Sequence, residues 1–213
     1  SVRERAVALI QIAHPDSRPA LFEQARALGY LPEGQKLRNL HDYPVELEHP
    51  VTLKDGQQLL LRPATANDGD LLRALFHRLP EGDIYTRFFR RMRGLSIGDV
   101  QHLCNLNHDT EVGLVAVTGP REDPQVVAHG LYALDTSTNL AETAFMVHPD
   151  WQGLGLGALL QQQLAAHARR CGVRGFVAEI LATNERMIRL ARQGSDQVSV
   201  ASEGSTVKVT TLF

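Results

Sequence analysis

Short apolar runs bounded by turn residues fill the middle of the chain and predict β-strands. The runs 51–53 and 58–62 flank the turn signal at 54–56 and predict a hairpin. Three further runs are joined by clusters rich in Pro, Asp and Asn, and they predict an antiparallel meander. These three runs are 112–117, 126–134 and 139–147.

Elsewhere apolar residues recur every three or four positions, as on one face of an amphipathic helix. The helices predicted in this way are 3–13, 18–28, 67–79, 96–103, 156–170 and 184–192. Ser1 with Glu4 is a candidate capping box for the first helix, and Asn67 or Asp68 is the expected cap of the third. The remaining apolar runs predict a strand at 176–181 and a closing hairpin around Glu203.

Residues 31–50 contain three prolines and show no hydrophobic period, so they are expected to form a connector. The two helices before it are too small to bury a core alone. We therefore expect a helical segment with its connector at 1–50 and one domain at 51–213. Because the chain begins at Ser1 without Met, we also expect a fragment of a longer protein.

Composition narrows the class of protein. A net charge of -2 argues against binding to nucleic acid, which normally needs a basic face. The sequence has no apolar run as long as a membrane span and no recognisable signal peptide. Cys104 and Cys171 are far apart and lack metal-ligand spacing, so they are expected to be free core thiols of a cytoplasmic protein without a metal.

The stretch 151–158 places three alternating glycines between a predicted strand and a predicted helix. The first amides of a helix lack intrahelical acceptors, and the helix dipole is positive there, so this stretch predicts a phosphate or pyrophosphate site. A glycine-rich turn without a ligand is the alternative, because short glycine motifs are weak evidence alone.

With this loop, the order of elements from residue 51 to 213 resembles the GNAT (Gcn5-related N-acetyltransferase) superfamily. Gln152, Gly155 and Gly157 match its acyl-CoA signature, residues 141–147 look like its fourth strand, and Asn184 looks like the asparagine that opens the next helix. The resemblance implies an α+β fold with a mixed sheet. It also implies that acetyl-CoA, or another acyl-CoA, donates an acyl group to an amine, possibly a protein lysine.

In this family the glycine loop binds the CoA pyrophosphate, and the fourth and fifth strands separate to admit pantetheine. The cofactor-binding residues implied here are Phe145, Met146, Val147, Gln152, Gly153, Leu154, Gly155, Leu156, Gly157, Ala158 and Asn184. Glu142, on the fourth strand, is the first candidate for the general base, since partial burial would raise its pKa. An outward surface charge is the alternative for this residue.

Glu179, on the next strand, is the second candidate base, unless an arginine pairs with it. His148 is either a proton relay or a turn residue. Many relatives carry a general-acid tyrosine where this chain has Ala191, and the usual ending of that helix is replaced by residues 193–195. The basic and aromatic segment 83–93 is interpreted as a solvated helix face with buried aromatics, with a basic groove as the alternative.

Residues 3–16 resemble the tail of the acetyl-CoA hydrolase/CoA-transferase family. That resemblance implies an upstream CoA-transferase-like domain in the intact chain. The two resemblances together allow two functions. The first is an acyl-CoA-dependent N-acyltransferase, and the second is a non-catalytic acyl-CoA-binding module that regulates the fused domain.

Overall fold

The computed structural model describes residues 2–35, 37, 43–193 and 197–213. Runs of two or three helices and runs of two or three strands follow one another along the chain up to β5, and single helices separate β5, β6 and β7. The helices are α1 Val2–Ile12, α2 Arg18–Ala27, α3 Gly69–His77, α4 Glu81–Phe88, α5 Ile97–Cys104, α6 Leu156–Arg170 and α7 Glu185–Ala191. The strands are β1 His49–Thr52, β2 Gln58–Pro63, β3 Glu111–Thr118, β4 Gln125–Asp135, β5 Leu140–Val147, β6 Gly175–Leu181, β7 Gln197–Glu203 and β8 Thr206–Leu212.

The described strands form one eight-stranded sheet in the order β1-β2-β3-β4-β5-β6-β8-β7. Neighbouring strands run antiparallel except β5 and β6, which are parallel. A parallel pair requires a crossover connection, and here α6 supplies it. The predicted α+β fold with a mixed sheet, its meander and both hairpins are confirmed.

Side chains alternate between the two faces of the sheet, so each face has its own core. Leu114 and Tyr132 on one face pack with Leu160 and Leu164 of α6. Val115 and Met146 on the other face pack with residues of α3 and α5. The central strands β3 to β5 are therefore covered on both sides.

The start of α3 has Asp68, one of the two predicted residues, at its N-cap, but the Asp68 side chain makes no capping hydrogen bond to α3. Thr65 and Asp68 form a capping box around a 3₁₀ turn at Ala66–Asp68, and α3 follows it directly. Asp68 is buried, and its two carboxylate oxygens accept hydrogen bonds of 2.8 and 2.6 Å from Arg62. The pattern pointed to Asn67 or Asp68 as a simple cap, but Asp68 also anchors the helix start to β2.

The helices α1 and α2 form a small cluster with Ala66 of the adjoining turn. Buried Gln35 accepts a hydrogen bond from Arg3 and donates one of 2.6 Å to Gln101 of α5. These contacts join the N-terminal helices to the sheet domain. The boundary at residue 50 and the CoA-transferase resemblance stay predictions, and Ser1 and residues 38–42 lie outside the described part of the chain.

Both cysteines are free, but only Cys104 is buried, so the expectation of a core thiol is wrong for exposed Cys171. Of the helices formed by the described residues, none is both long and apolar enough to span a membrane.

Candidate active site

The site begins where two parallel strands separate. Among the described residues, β5 and β6 pair only at their first three positions, from Leu140 and Gly175 to Glu142 and Val177. β5 then continues to Val147 and β6 to Leu181 on diverging paths. The separation that the family resemblance implies is therefore present, and Glu142 lies at its vertex.

A cavity of about 650 Å³ occupies this opening. The five consecutive residues Thr143 to Val147 all border it. Their side chains alternate between the two faces of the sheet, so it is the backbone edge of β5 that faces the cavity. A strand edge carries donors and acceptors for an extended polar ligand, and this mode of binding is β-augmentation.

The glycine loop forms the adjoining wall. Gly153 and Gly155 have φ angles of 83° and 88°, the left-handed region that favours glycine. Within the N-terminal part of α6, Leu159 N donates to Gly155 O at 3.0 Å. The amides of Leu156, Gly157 and Ala158 precede that bond and have no intrahelical acceptor, so they can bind an anion.

Gln152 fixes the loop through its side chain. Its Nε2 donates to Asp83 Oδ2 at 2.8 Å and to Val147 O at 3.1 Å, and its Oε1 accepts from Arg186 at 2.7 Å. Its backbone N–H donates to Pro149 O. Gln152 thus borders the cavity, but its side-chain polar atoms already form hydrogen bonds to α4, β5 and α7. They connect these elements to the loop and are not directed at a phosphate.

Most of the other predicted cofactor residues also border the cavity, including Asn184 and the glycines of the loop. Asn184 caps α7, with Oδ1 accepting from Met187 N at 3.1 Å, so Nδ2 is its remaining donor. Leu154 is different, because its side chain packs against the core beneath the sheet. We therefore drop the Leu154 side chain from the candidate contacts.

The two candidate bases both border the cavity. Glu142 is exposed, so the expected partial burial is wrong for this residue. Its carboxylate stands at the surface of the cavity and can reach water or a substrate there. Glu179 is exposed as well, and its Oε1 accepts a hydrogen bond of 3.1 Å from the Thr206 hydroxyl. Its hydrogen-bond partner is thus a hydroxyl group and not an arginine.

For the segment 83–93, the predicted solvated basic face is present at the exposed residues Arg90, Arg91 and Arg93, but the prediction that its aromatics are buried is wrong for two of them. Arg87, Phe88, Phe89 and Arg90 border the cavity, while the residues Tyr85 and Phe89 are 44% and 40% exposed. Arg87 Nε is buried and has no hydrogen-bond partner among the described residues. Burial lowers the pKa of the Arg87 guanidinium to about 10, and attraction to Glu142 opposes that decrease. Arg87 therefore stays protonated at neutral pH.

The basic residues that alternate with aromatics in the segment 83–93 were the sequence signal for this side of the cavity. Their spacing did not indicate which side of the helix faces the cavity and which faces solvent. Arg189 and Leu190 of α7 are further lining residues that the sequence analysis missed. Both residues lie on α7, the helix that begins after Asn184. The predicted cap at Asn184 was therefore the sequence signal that could have identified this helix as part of the cavity lining.

Two other sequence hypotheses concern His148 and Ala191. His148 Nδ1 accepts from Asp150 N at 3.2 Å, which caps the turn after β5 and favours the turn interpretation over a proton relay. Ala191 is 4% exposed and packs with Ala178, Ile180 and Val209. The position of the family's tyrosine is thus core here, and Gly194 and Ser195 beyond it lie outside the described residues.

The described residues contain no group of three His, Cys, Asp or Glu side chains placed to hold a metal ion. The chemistry that the site offers is anion binding at the loop, an open strand edge, and a carboxylate beside a guanidinium. Together these fit a long ligand that carries phosphates at one end and reacts near Glu142 at the other.

Comparison with known proteins agrees with this geometry. Residues 82–194, more than half of the chain, match the sequence profile of the acetyltransferase (GNAT) family. An acetyltransferase of Pseudomonas aeruginosa is 29% identical over 144 residues, which is 67% of this chain and 77% of that protein. The GNAT domain of PAT from S. lividans superposes with a TM-score of 0.72 and 28% identity over 81% of this chain and all of that domain.

A third similar structure is that of yncA from Salmonella typhimurium with its cofactor acetyl-CoA. It has a TM-score of 0.56 and 20% identity, and the match covers 72% of this chain and 92% of yncA. At this identity the likeness supports the fold. The profile match, the relative and the fold lead to one conclusion: the chain belongs to the acetyltransferase (GNAT) family and is an N-acetyltransferase.

Proposed function

We propose that the enzyme transfers an acetyl group from acetyl-CoA to the side-chain amine of a protein lysine, with Glu142 as the general base. One observation carries this proposal. Glu142 stands at the vertex where β5 and β6 separate, at the inner end of the opening bordered by the strand edge and the glycine loop. A carboxylate at that point can receive the proton that the attacking amine must lose.

The residues along the opening supply binding and orientation. The amides of Leu156, Gly157 and Ala158 would bind the pyrophosphate of the cofactor. The backbone edge of Thr143 to Val147 would hydrogen-bond the amide groups of pantetheine as an added strand. The thioester is then expected beside the first separated residues of β5, close to Glu142, where an amide N–H can polarise its carbonyl.

A general acid is not essential in this scheme, because the thiolate of CoA is a fair leaving group that can take its proton from water. This accounts for a core alanine at position 191 in an active enzyme. A lysine side chain is the proposed acceptor because its flexible arm places a primary amine at its end. Such an arm can enter the opening and bring its amine to the exposed carboxylate of Glu142 at the vertex.

The experiment measures release of free thiol from acetyl-CoA in the presence of lysine-containing peptides. Glu142→Gln keeps the shape of the side chain and removes its basicity, so kcat should fall about 10²- to 10⁴-fold with little change in the KM for acetyl-CoA. Glu179→Gln is the matched control, because its carboxylate already accepts a hydrogen bond from Thr206. Its kcat should stay within a few-fold of the parent enzyme.

An unchanged rate in Glu142→Gln with a large loss in Glu179→Gln would transfer the role of base to Glu179. Tight binding of CoA by calorimetry without thiol release for any amine would instead support the non-catalytic acyl-CoA-binding module. Comparison of acetyl-CoA with longer acyl-CoA thioesters in the same assay identifies the acyl group that the enzyme prefers.

A further inference from the structure

The side chain of Arg87 is charged, largely enclosed and unpaired. It lies near the end of α4, where it borders the cavity between β5 and β6 and a second cavity of about 370 Å³ beside α5. Its Nε is buried without a partner, and within the described part of the chain its guanidinium forms no hydrogen bond or ion pair. A buried charged donor without a partner destabilises a protein, so folding does not explain this arginine.

Packing against an aromatic ring orients the guanidinium. Its Cζ lies 4.8 Å from the centroid of the Phe88 ring, which is a cation–π arrangement. Stacking covers one face of the planar group, whereas the N–H donors lie around its edge. The donors on the two Nη atoms therefore remain available to a ligand.

Glu142 has the opposite charge and borders the same two cavities. Its attraction helps to keep the Arg87 guanidinium protonated. The two side chains are not bonded to each other, and the Glu142 carboxylate also accepts no hydrogen bond from the residues that the structure describes. An unpaired cation and an unpaired anion thus border one space.

Attack of an amine on a thioester creates the charges that this arrangement complements. The lone pair of the nitrogen forms a bond to the carbonyl carbon, and the π electrons of the C=O bond move to the oxygen. The intermediate then has a positive nitrogen and a negative oxygen on one carbon. The nitrogen gives its proton to Glu142, which later releases it to water. The C=O bond forms again, the C–S bond breaks, and the sulfur of CoA leaves with the electron pair and takes a proton from water.

We propose that Arg87 is a catalytic residue that donates hydrogen bonds to the negative oxygen of this intermediate. The inference rests on acetyl transfer at the site of the proposed function, but not on the kind of amine that accepts the group. The thioester is expected beside the first separated residues of β5, and Arg87 borders the cavity together with Glu142 and Ala144. Donors that are already in place where negative charge develops stabilise the transition state, and no other bond of Arg87 has to break first.

The first test measures ligand binding by the full chain without turnover. S-carboxymethyl-CoA has a carboxylate in place of the acetyl group, and S-acetonyl-CoA is its neutral counterpart of similar size. By calorimetry, Arg87→Gln should bind the carboxymethyl compound about tenfold more weakly than the parent, the order of one hydrogen bond to a charged group. The affinity for the acetonyl compound should change less than about threefold. Equal changes for both compounds, or no change for either, would overturn the proposal.

The second test measures thiol release from acetyl-CoA. Arg87→Gln should lower kcat about 10²- to 10³-fold, as loss of an oxyanion donor does, with little change in the KM values for acetyl-CoA and the amine. Arg87→Lys should lose less, because it keeps the charge. Arg91→Gln is the matched control at an exposed position of the same segment and should retain the parent kcat within a few-fold. An unchanged kcat in Arg87→Gln would refute the catalytic role.

The choice of acceptor separates this role from recognition of an anionic substrate. The negative oxygen comes from acetyl-CoA, so the loss in Arg87→Gln should be equal for lysine peptides with a glutamate or an alanine beside the lysine. A higher KM confined to the glutamate peptide would make Arg87 a binding group for the acceptor and would contradict the proposal.

A purely structural role predicts a different result. Removal of an unpaired buried charge should not weaken the fold, so Arg87→Met should unfold at a urea concentration equal to or above that of the parent while its kcat falls as in Arg87→Gln. Millimolar guanidinium should restore part of the kcat of Arg87→Ala but not that of Glu142→Gln. A lower urea midpoint in Arg87→Met together with no restoration in Arg87→Ala would contradict the proposal.

Absence of thiol release from the parent enzyme with every amine would be a failure of the proposed function. The comparison of the two CoA analogues then decides the inference alone. Selective weakening of carboxymethyl-CoA binding in Arg87→Gln would support it, and unchanged binding would refute it.

Discussion

The two glycines that flank Leu156 should respond in opposite ways to the same substitution. Gly155 has a φ of 88°, and none of the described residues has an atom within 4 Å of a Cβ added there. Gly157 lies in the first turn of α6 without a left-handed φ, and an added Cβ would meet Leu190 Cδ2 at 3.5 Å, an ordinary contact. An alanine side chain therefore has no steric clash at Gly155, and at Gly157 it makes an ordinary van der Waals contact with Leu190.

The expected free energies follow from backbone conformation. At Gly155 the left-handed conformation costs alanine about 1–2 kcal/mol. Alanine also lowers the conformational entropy of the unfolded chain, which stabilises the folded enzyme by about 0.4–1 kcal/mol. The net effect of Gly155→Ala should therefore be a loss of about 1 kcal/mol in the free energy of unfolding. At Gly157 the helical conformation suits alanine, and Gly157→Ala should stabilise it by about 0.5–1 kcal/mol.

Urea unfolding followed by circular dichroism measures both variants against the parent, with the slope m compared to verify that two-state behaviour is kept. The acetyl-CoA KM of Gly155→Ala should also rise, because relief of the strain reorients the amides that follow Gly155. A Gly157→Ala variant less stable than Gly155→Ala would refute the conformational reasoning. A normal KM in Gly155→Ala would refute the role of the loop in cofactor binding.

Three other predictions concern single contacts. Asp68→Ala should cost about 3 kcal/mol in urea unfolding, because it leaves the Arg62 guanidinium without its buried partner, and a cost below 1 kcal/mol would count against that pair. Burial lowers the pKa of His129 from 6.5 to about 4, so protonation favours the unfolded chain. Stability should be full above pH 6.5 and fall by about 3 kcal/mol toward pH 4, and His129→Gln should flatten that part of the measured pH profile. Gln152→Glu places an acceptor where the amide donates, so we expect a loss of about 1–3 kcal/mol and a higher acetyl-CoA KM, whereas Arg186→Gln should change both less.

The sequence predicted those parts of the fold that depend on residues close together along the chain. The meander, the glycine-loop helix and the cap at Asn184 follow from hydrophobic period and turn chemistry. The burial of Arg87 and the partners of Gln152 depend on how α4 packs over β5. Gln152 and Asp83 are 69 positions apart, so spacing along the chain contains no information about their hydrogen bond.

The exposure of Glu142 shows the same limit. An apolar strand context suggested partial burial, but β6 diverges from β5 just beyond this residue, and the side chain is left at the surface of a cavity. Leu154 is the opposite case, since a residue inside a ligand-binding motif is partly buried and packs its side chain against the core. Motif membership identified the right segment of backbone, but not the orientation of each side chain.

The separation of β5 from β6 makes the sheet incomplete without its substrate. If the ligand fills that gap as an added strand, its binding free energy becomes part of the stability of the folded enzyme. Saturation at about one hundred times the dissociation constant would add about 2.7 kcal/mol, and the same amount would be withdrawn whenever the ligand departs. Those amides between Thr143 and Val147 that face the cavity and not β4 would then exchange their hydrogens slowly only in the loaded enzyme. Each catalytic cycle of such an enzyme would complete and reopen part of its own sheet.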